Sequence, residues 1–334
     1  MTVSGYAKVN LTLEVFGKRP DGYHALRSVV MPISLADTLE IEATDDGTIS
    51  SDTGYDDDLC VKAARVLKSS VPSATSSSVS SLPSSLGASI HVTKRIPAGG
   101  GLGGGSADAA AVLRALNELW ALDLSREELA EIGAQVGSDV PALVLGAPVL
   151  MEGRGERVKD LRLETGDLNL VLVNPGVHSS TKDVYAAFAE RASCPFTPSP
   201  SAAFAERASC PFVPSPSAAF VERASCPFAG SPTAKMADAL RSGDLSAIAA
   251  AAMNDLQAPA VKLHPEIADA LTSLRTTGAT GVTMTGSGSC VFGFVPDAAT
   301  AEKVSAELNL RGYQAWPLHA ISLAGTQTET QDRN

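Results

Sequence analysis

The chain has 334 residues, 44% of which are hydrophobic, and a formal net charge of −11 at pH 7. This length and composition can supply the core of one large domain or of two. The acidic balance argues against nucleic acid or an anionic membrane as the main partner, because either requires a basic face. The N-terminal residues lack a signal-peptide pattern and no stretch reaches the ~18 apolar residues of a membrane span, so we expect a cytoplasmic protein.

The opening segment, residues 7–15, alternates apolar and polar side chains and predicts a β-strand with Lys8 and Asn10 on one face. A turn at residues 18–22 follows, and then strand-rich sequence with a break at Pro32. This pattern predicts a β-rich start to the chain.

Residues 58–68 have the spacing of a helix, and 11 of the 21 residues from 69 to 89 are serine. The serine-rich segment contains too few large apolar side chains to order itself, so we expect a flexible loop inside a domain. Alternation resumes from Ile90 to Ile96 and predicts a strand that leads into the next motif.

A glycine-rich loop occupies the segment from Gly99 to Gly105 and runs directly into a helical pattern with one apolar face. Glycines tolerate positive φ and let backbone N–H groups approach anionic oxygens, while the start of a helix adds a partial positive charge. The loop therefore indicates a site for a di- or triphosphate.

Two familiar glycine motifs do not account for this loop. Gly99, Gly101 and Gly104 satisfy G-x-G-x-x-G, but Asp123, at the distance of the expected acidic residue, is followed by helical sequence instead of ending a strand. A Walker loop requires Gly-Lys-Ser/Thr, and here Gly105 is followed by Ser106 without a lysine.

The segment beyond the helix contains a capping box at Ser125, a helix end near Gly137 and a sharp junction at residues 138–141. At this junction Asp139 suits either of two roles, an N-cap or a catalytic carboxylate, and the residues alone leave both open. An apolar strand from Leu168 to Pro175 is a candidate start of a second domain.

A unit of 16 residues recurs three times between Tyr185 and Pro232. Each unit offers barely two helical turns and a proline-rich end, which is too short for a solenoid repeat, so we interpret the array as a surface insertion. Three of the five cysteines recur at one place in this unit and none forms a C-x-x-C pair, so we expect neither zinc nor disulfides. Beyond the array the sequence predicts helices over 234–253 and 265–276, then a strand, a glycine-serine loop and a strand over 281–295.

Three segments together resemble the motifs of the GHMP kinases: AKVNLTL at 7–13, PAGGGLGGGSADAAA at 97–111 and TGSGSCVFG at 285–293. Three further segments, at 18–30, 137–146 and 254–267, are similar to the branch that acts on a cytidine diphosphate-linked methylerythritol in the non-mevalonate isoprenoid pathway. The resemblance covers nearly the whole chain, apart from the serine-rich loop and the repeats.

The resemblance implies an α+β fold of two domains with the active site between them. The expected N-terminal domain, residues 1–160, is similar to domain 2 of ribosomal protein S5 and binds ATP. The expected C-terminal domain, residues 161–324, is ferredoxin-like and carries the repeats at about 185–232, and residues 325–334 form a polar tail. The acceptor, ATP and Mg²⁺ are the implied small-molecule partners of a monomer or homodimer.

The resemblance also assigns residue roles. Asp139 matches the catalytic aspartate, which would take the proton of the acceptor hydroxyl, and Lys8 matches the active-site lysine beside it. Ser106 would lie near the phosphates and Mg²⁺, although it also suits a helix N-cap. Asn10, Tyr23, His24 and Tyr185 are expected to bind the acceptor, with aromatic rings on the cytosine and hydrogen bonds that select it. The nucleotide-binding loop is assigned to Pro97, Ala98, Gly99, Gly100, Gly101, Leu102, Gly103, Gly104, Gly105, Ser106 and Ala107.

Two alternatives remain at this point. Another GHMP kinase, acting on homoserine or mevalonate, would have no use for a nucleobase site around Tyr23, His24 and Tyr185. A non-catalytic nucleotide-binding regulator is expected to lack Lys8 or Asp139, and both are present.

Overall fold

The structure is a computed structural model that describes residues 1–54, 57–71, 86–163, 168–193 and 228–323. Two antiparallel-rich sheets are surrounded by helices, which confirms the α+β class. The predictions for residues 72–85 of the serine-rich loop, 194–227 of the repeats and the polar tail lie outside the described residues. Within the described part of the chain, no helix combines the length and the apolar character that crossing a bilayer requires.

The first sheet contains seven strands. Its path is β3-β4-β2-β1-β8, and β2 also pairs with β5, which pairs with β6. The strands are β1 (Thr2–Lys18), β2 (His24–Thr44), β3 (Ile49–Ser51), β4 (Gly87–Thr93), β5 (Val149–Gly153), β6 (Arg157–Asp160) and β8 (Met253–Asn254).

Helices α1 to α4 belong to the same part of the chain, and α2 packs its alanine-rich apolar face on β1 and β2. Small side chains on that face allow the helix to lie close to the sheet, and its buried positions include Ala109, Val112 and Leu116. The helices are α1 (Leu59–Ser70), α2 (Gly104–Leu119), α3 (Arg126–Gly133) and α4 (Val140–Leu145).

The second sheet has the order β11-β7-β10-β9, with every pair antiparallel. Phe292 and Phe294 on one of its faces share a continuous apolar cluster with β1 and β2, so the two sheets are packed together. The remaining elements are β7 (Asn169–Asn174), α5 (Thr181–Ser193), α6 (Pro232–Ser242), α7 (Leu245–Ala251), α8 (Gln257–Leu263), α9 (Glu266–Thr276), β9 (Thr280–Met284), β10 (Val291–Val295), α10 (Ala298–Leu310) and β11 (Gln314–His319).

Strand β8 joins the two halves of the chain at the centre of the molecule. It comes from the C-terminal half but pairs in parallel with β1, where Leu13 lies opposite Asn254. As a result β1 has a neighbour on each side at Thr12 and Leu13. Both faces of β1 are buried, since Lys8, Asn10 and Thr12 are as inaccessible as the apolar residues between them.

Three predicted boundaries were wrong. Strand β2 continues through Pro32, because the β1–β2 register shifts between Tyr6 and Lys8, where Pro32 lies, and a missing N–H is tolerated at such an irregularity. The predicted helix over 234–253 is two helices divided at Gly243, whose positive φ of 68° ends α6. The expected loop over 69–89 was too wide, since Ser69 and Ser70 belong to α1 and residues 87–89 to β4.

Candidate active site

The glycine loop ends at the start of α2. Every second residue of the loop from Gly99 to Gly103 has a positive φ. Gly99, Gly101 and Gly103 have φ of 68°, 76° and 71°, values that favour glycine. Helix α2 begins at Gly104, two residues earlier than predicted, and its N-cap is Gly103, which supplies no side-chain cap. Ser106 is therefore not the N-cap. The first backbone bond of the helix runs from Ala107 N to Gly103 O, so the preceding N–H groups are available to an anion.

The segment at 285–293 contacts the glycine loop from the opposite side. Ser289 N donates to Gly99 O and Cys290 N donates to Gly100 O, each at 3.2 Å. A Cβ on Gly101 would lie 2.2 Å from Thr285 O, so only a glycine fits there. The segments at 97–111 and 285–293, which are far apart in the sequence, form one structural unit.

Lys8 lies beneath the loop and is almost fully buried. Its Nζ donates to Asn10 Oδ1 at 2.7 Å and to Gly101 O at 2.8 Å. It also lies 3.6 Å from Asp139 Oδ2. Lys8 is therefore a buried, paired cation, since an ammonium group in the protein interior requires such partners.

Asp139 occupies the N-cap position of α4, yet its side chain caps no N–H group of that helix. The carboxylate is one-third exposed and faces Lys8. A Cβ built on Gly103 would lie 3.5 Å from Asp139 Oδ2 and 3.3 Å from Lys8 Cε, so the ion pair borders the start of α2. The sequence left two roles open for Asp139, an N-cap and a catalytic carboxylate. The geometry does not support the N-cap, because the side chain makes no cap bond.

The site contains few oxygen donors for a cation. The Ser106 hydroxyl lies close to Gly137, two residues before Asp139. A Cβ built on Gly137 would lie 3.8 Å from Ser106 Oγ. Among the described residues, no group of three or more His, Cys, Asp or Glu side chains could hold a metal ion. The residues present fit a magnesium ion that arrives with the nucleotide's phosphates, as Mg²⁺ commonly does in such sites.

The structure brings together two of the three rings expected at the acceptor site. His24 and Tyr185 have centroids 5.2 Å apart, and Phe188 lies edge-on to His24 at 6.2 Å. Tyr23 is 55% exposed and its ring instead contacts the Arg154 guanidinium, 5.4 Å from the centroid.

Two pKa shifts describe the surroundings of this ring pair. Burial, together with the nearby Lys18 cation, lowers the pKa of His24, so its imidazole is neutral at pH 7. Burial and the Asp139 carboxylate raise the pKa of Tyr185 to about 12. Because the Asp139 carboxylate contributes to the raised pKa of Tyr185, the phenol is within electrostatic range of Asp139.

Asn10, also expected to bind the acceptor, has its amide engaged on both sides. Its Oδ1 accepts from Lys8, and its Nδ2 donates to Ser28 Oγ at 2.8 Å. Its backbone N donates to Thr285 Oγ1 at 3.0 Å. The sequence predicted that Asn10 and Lys8 share a strand face, but it did not show that their side chains are hydrogen-bonded to each other.

Sequence reasoning missed two contributors to the site. The His178 ring packs on the glycine loop, because a Cβ on Gly99 would lie 2.3 Å from its Cδ2. Lys94 links two buried carboxylates below the loop, with Nζ 2.5 Å from Asp37 Oδ2 and 2.6 Å from Asp108 Oδ2. Burial raises the pKa of Asp108 to about 7 despite this ammonium. Lys94 could have been found from the sequence, because a lysine three residues before the glycine motif is a candidate for a charged contact there. Nothing in the sequence singled out His178.

Comparisons with known proteins show the family to which the chain belongs. The family model described as GHMP kinases N terminal domain matches residues 58–147, and the model described as GHMP kinases C terminal matches residues 236–314. A solved homoserine kinase from Cytophaga hutchinsonii has a TM-score of 0.64 at 16% identity, over 96% of this chain and 94% of that one, and shows the fold alone. These matches and the fold together define a GHMP kinase.

Closer relatives narrow the class. The 4-diphosphocytidyl-2-C-methyl-D-erythritol kinase of Symbiobacterium thermophilum is 33% identical over 96% of this chain and 100% of its own length. The enzyme of the same name from Pelotomaculum thermopropionicum is 37% identical over 92% of this chain and 93% of its own length. A crystal structure of a 4-(cytidine 5'-diphospho)-2C-methyl-D-erythritol kinase has a TM-score of 0.69 at 30% identity, over 96% of this chain and 99% of that one. The chain belongs to this family of ATP-dependent kinases.

Proposed function

We propose that the chain transfers the γ-phosphate of ATP to the 2-hydroxyl of 4-diphosphocytidyl-2-C-methyl-D-erythritol, with Mg²⁺ as cofactor. The observation that carries this proposal is the Lys8–Asp139 pair, with 3.6 Å between Nζ and Oδ2, at the start of α2. One carboxylate and one ammonium at a phosphate-binding helix end are the groups that phosphoryl transfer to an alcohol requires.

The backbone of residues 99–105 and the Ser106 hydroxyl would hold the triphosphate. Bound ATP supplies the phosphoryl group, and Mg²⁺ neutralises phosphate charge. On the protein side, the N–H groups at the start of α2 would face the phosphates and add the partial positive charge of the helix end. The Lys8 ammonium, fixed by Gly101 O, stabilises the negative charge that develops close to the loop.

Asp139 would take the proton of the acceptor hydroxyl and direct that oxygen toward the nucleotide. Its carboxylate is free for this task because it makes no cap bond to α4 and is partly exposed. A group that is both oriented by a cation and open to the cleft can reach a substrate hydroxyl, whereas the buried carboxylates of Asp37 and Asp108 cannot.

The His24–Tyr185 pair would hold the cytosine. Two rings with centroids 5.2 Å apart provide a stacking surface, and the neutral imidazole offers one donor and one acceptor to the edge of a base. The location of this pair within range of Asp139 supports an acceptor that extends from a nucleobase to a reactive hydroxyl.

The test is ATP turnover by the purified chain with three acceptors: the cytidylyl-methylerythritol, homoserine and mevalonate. We expect turnover with the first acceptor and only background with the other two. Preferential turnover of homoserine or mevalonate would contradict the proposed substrate but not the fold. No turnover with any acceptor, in protein that binds ATP, would contradict the proposed activity.

A further inference from the structure

A line of buried hydrogen bonds leads from Lys8 into the first sheet. Lys8 Nζ donates to Asn10 Oδ1, Asn10 Nδ2 donates to Ser28 Oγ, and Ser28 Oγ donates to Thr12 O. We propose that Ser28 is a positioning residue for Lys8 and acts through the Asn10 amide. This inference rests on the proposed function, because it gives Lys8 a task in phosphoryl transfer.

The direction of each bond in the line follows from chemistry. A backbone carbonyl such as Thr12 O can only accept, so the Ser28 hydroxyl must donate to it at 2.5 Å. Its oxygen is then an acceptor toward Asn10, which requires the amide nitrogen on the Ser28 side. The amide oxygen consequently faces Lys8, whose ammonium can only donate. Ser28 and Lys8 therefore select the same orientation of the Asn10 side chain.

The backbone of Asn10 has little freedom to compensate if Ser28 is lost. Asn10 N is held by Thr285 Oγ1 at 3.0 Å, and Asn10 is paired with Val30 of β2. Rotation of the side chain is the remaining response. Without the Ser28 oxygen, the Asn10 Nδ2 donor would be buried without that acceptor, which favours rotation toward another acceptor.

Such a rotation would withdraw Asn10 Oδ1 from Lys8. The Lys8 ammonium would keep Gly101 O, at 2.8 Å, and the Asp139 carboxylate, but not the contact that fixes it from the strand side. Lys8, Asn10 and Ser28 are each at most 3% exposed, so bulk solvent does not supply a replacement acceptor directly. We therefore expect the loss of Ser28 to displace Lys8 and leave the glycine loop in place.

The primary test is single-turnover phosphate transfer by Ser28→Ala, which removes the hydroxyl, and by Ser28→Cys, which nearly keeps its size. We expect each to lower the transfer rate roughly 10- to 100-fold, since a misplacement of about 1 Å in a catalytic site can cost 100-fold. The KM for ATP should stay within about twofold, because the loop that binds the nucleotide is unchanged. Ser28→Thr, which restores a hydroxyl, should recover most of the rate.

A double-mutant cycle separates positioning from a general structural role. If Ser28 acts through Asn10, then Ser28→Ala should lower the rate little further in an Asn10→Ala background. The matched control is Ser305→Ala, which removes another buried serine hydroxyl, bonded to Glu302 O at 3.0 Å in α10, and should keep the normal rate.

Two results would overturn the proposal: an unchanged rate in Ser28→Ala and Ser28→Cys, or an equal loss from Ser28→Ala with and without Asn10. If Ser28→Ala does not fold, the Ser28→Cys rate, alone and with Asn10→Ala, decides the question by the same criteria. Failure of the unaltered chain to transfer phosphate would instead contradict the proposed function.

Discussion

Lys8 Nζ and Asp139 Oδ2 lie 3.6 Å apart, on a central strand and on the residue before α4, and both border Gly103 in the glycine loop. The contact joins the most buried lysine of the site to a carboxylate that is one-third exposed. An ion pair with one partly exposed member can act on a substrate that reaches this member.

The first prediction concerns this pair. Lys8→Ala and Asp139→Asn should each lower kcat by about 100-fold or more, because a positioned acid-base group and a fixed cation each contribute on that order. The Kd for ATP should change by less than about fivefold, since the backbone of the loop supplies most of its contacts. Rapid-quench kinetics and calorimetric titration of ATP measure the two effects. A variant with a near-normal rate would contradict the assigned role of that residue.

The second prediction compares two glycines of one loop. Gly101→Ala should disrupt the loop, because its Cβ would lie 2.2 Å from Thr285 O and its φ is 76°. Gly105→Ala is the matched control, because its Cβ would meet only Leu59 Cδ1 at an ordinary 3.5 Å and its φ is not positive. We expect a lower thermal unfolding temperature for Gly101→Ala alone. Equal behaviour of the two variants would contradict the packing of the two glycine motifs.

The third prediction is that the aromatic ring of Tyr185, and not its hydroxyl, binds the acceptor. Tyr185→Phe keeps the stacking surface on His24, and the pKa of Tyr185 near 12 leaves no phenolate at neutral pH to be lost. We expect its KM for the cytidylyl acceptor to stay within about threefold, and that of Tyr185→Ala to rise about 10-fold or more, as loss of a stacked ring costs roughly 1–3 kcal/mol. Initial rates at varied acceptor, with saturating ATP, measure both. A rise in Tyr185→Phe equal to that in Tyr185→Ala would show that the hydroxyl matters.

The fourth prediction is that removal of Ser201 to Pro232, two complete repeat units, leaves kcat within about threefold. At present Ser231 caps α6 through Ala234 N at 3.1 Å, and the Phe228 ring lies 5.5 Å from the Arg27 guanidinium. Because the deletion removes two whole units of 16 residues, Ser199 takes the position of Ser231, two residues before Thr233. Phe196 takes the position of Phe228.

The control for this deletion is Phe228→Ala with Ser231→Ala in the full chain, which removes both contacts and should lower stability by about 1 kcal/mol or more through the lost cap. Turnover and thermal unfolding of both proteins are the measurements. Near-total loss of activity in a soluble deletion variant would show that the repeats take part in the site.

The sequence predicted those parts of the site that depend on local pattern. Alternation along residues 7–15 put Lys8 and Asn10 on one face, and the glycine spacing indicated a phosphate loop before a helix. It did not show that Lys8 is buried, because that depends on Gly101 and Asp139, which come from elsewhere in the chain. Long-range packing of this kind leaves no mark in a local pattern.

Other features also required the tertiary structure. Whether Asp139 caps α4 or faces the cleft is decided by a side-chain rotation toward Lys8, and both outcomes suit the same residues. Pro32 suggested a break because proline lacks an N–H, yet a register shift in the neighbouring strand allows β2 to continue. Tyr23 and His24 are adjacent in the sequence but contact different partners, Arg154 and Tyr185.

The most direct test of the central claim is identification of the product formed from ATP and the cytidylyl-methylerythritol, by ³¹P NMR, with the unaltered chain and Asp139→Asn in parallel. We expect ADP and one new phosphomonoester at the 2-hydroxyl in equal amounts, with formation slowed at least about 100-fold in Asp139→Asn. Release of inorganic phosphate without a phosphorylated acceptor, or equal rates for the two proteins, would contradict it.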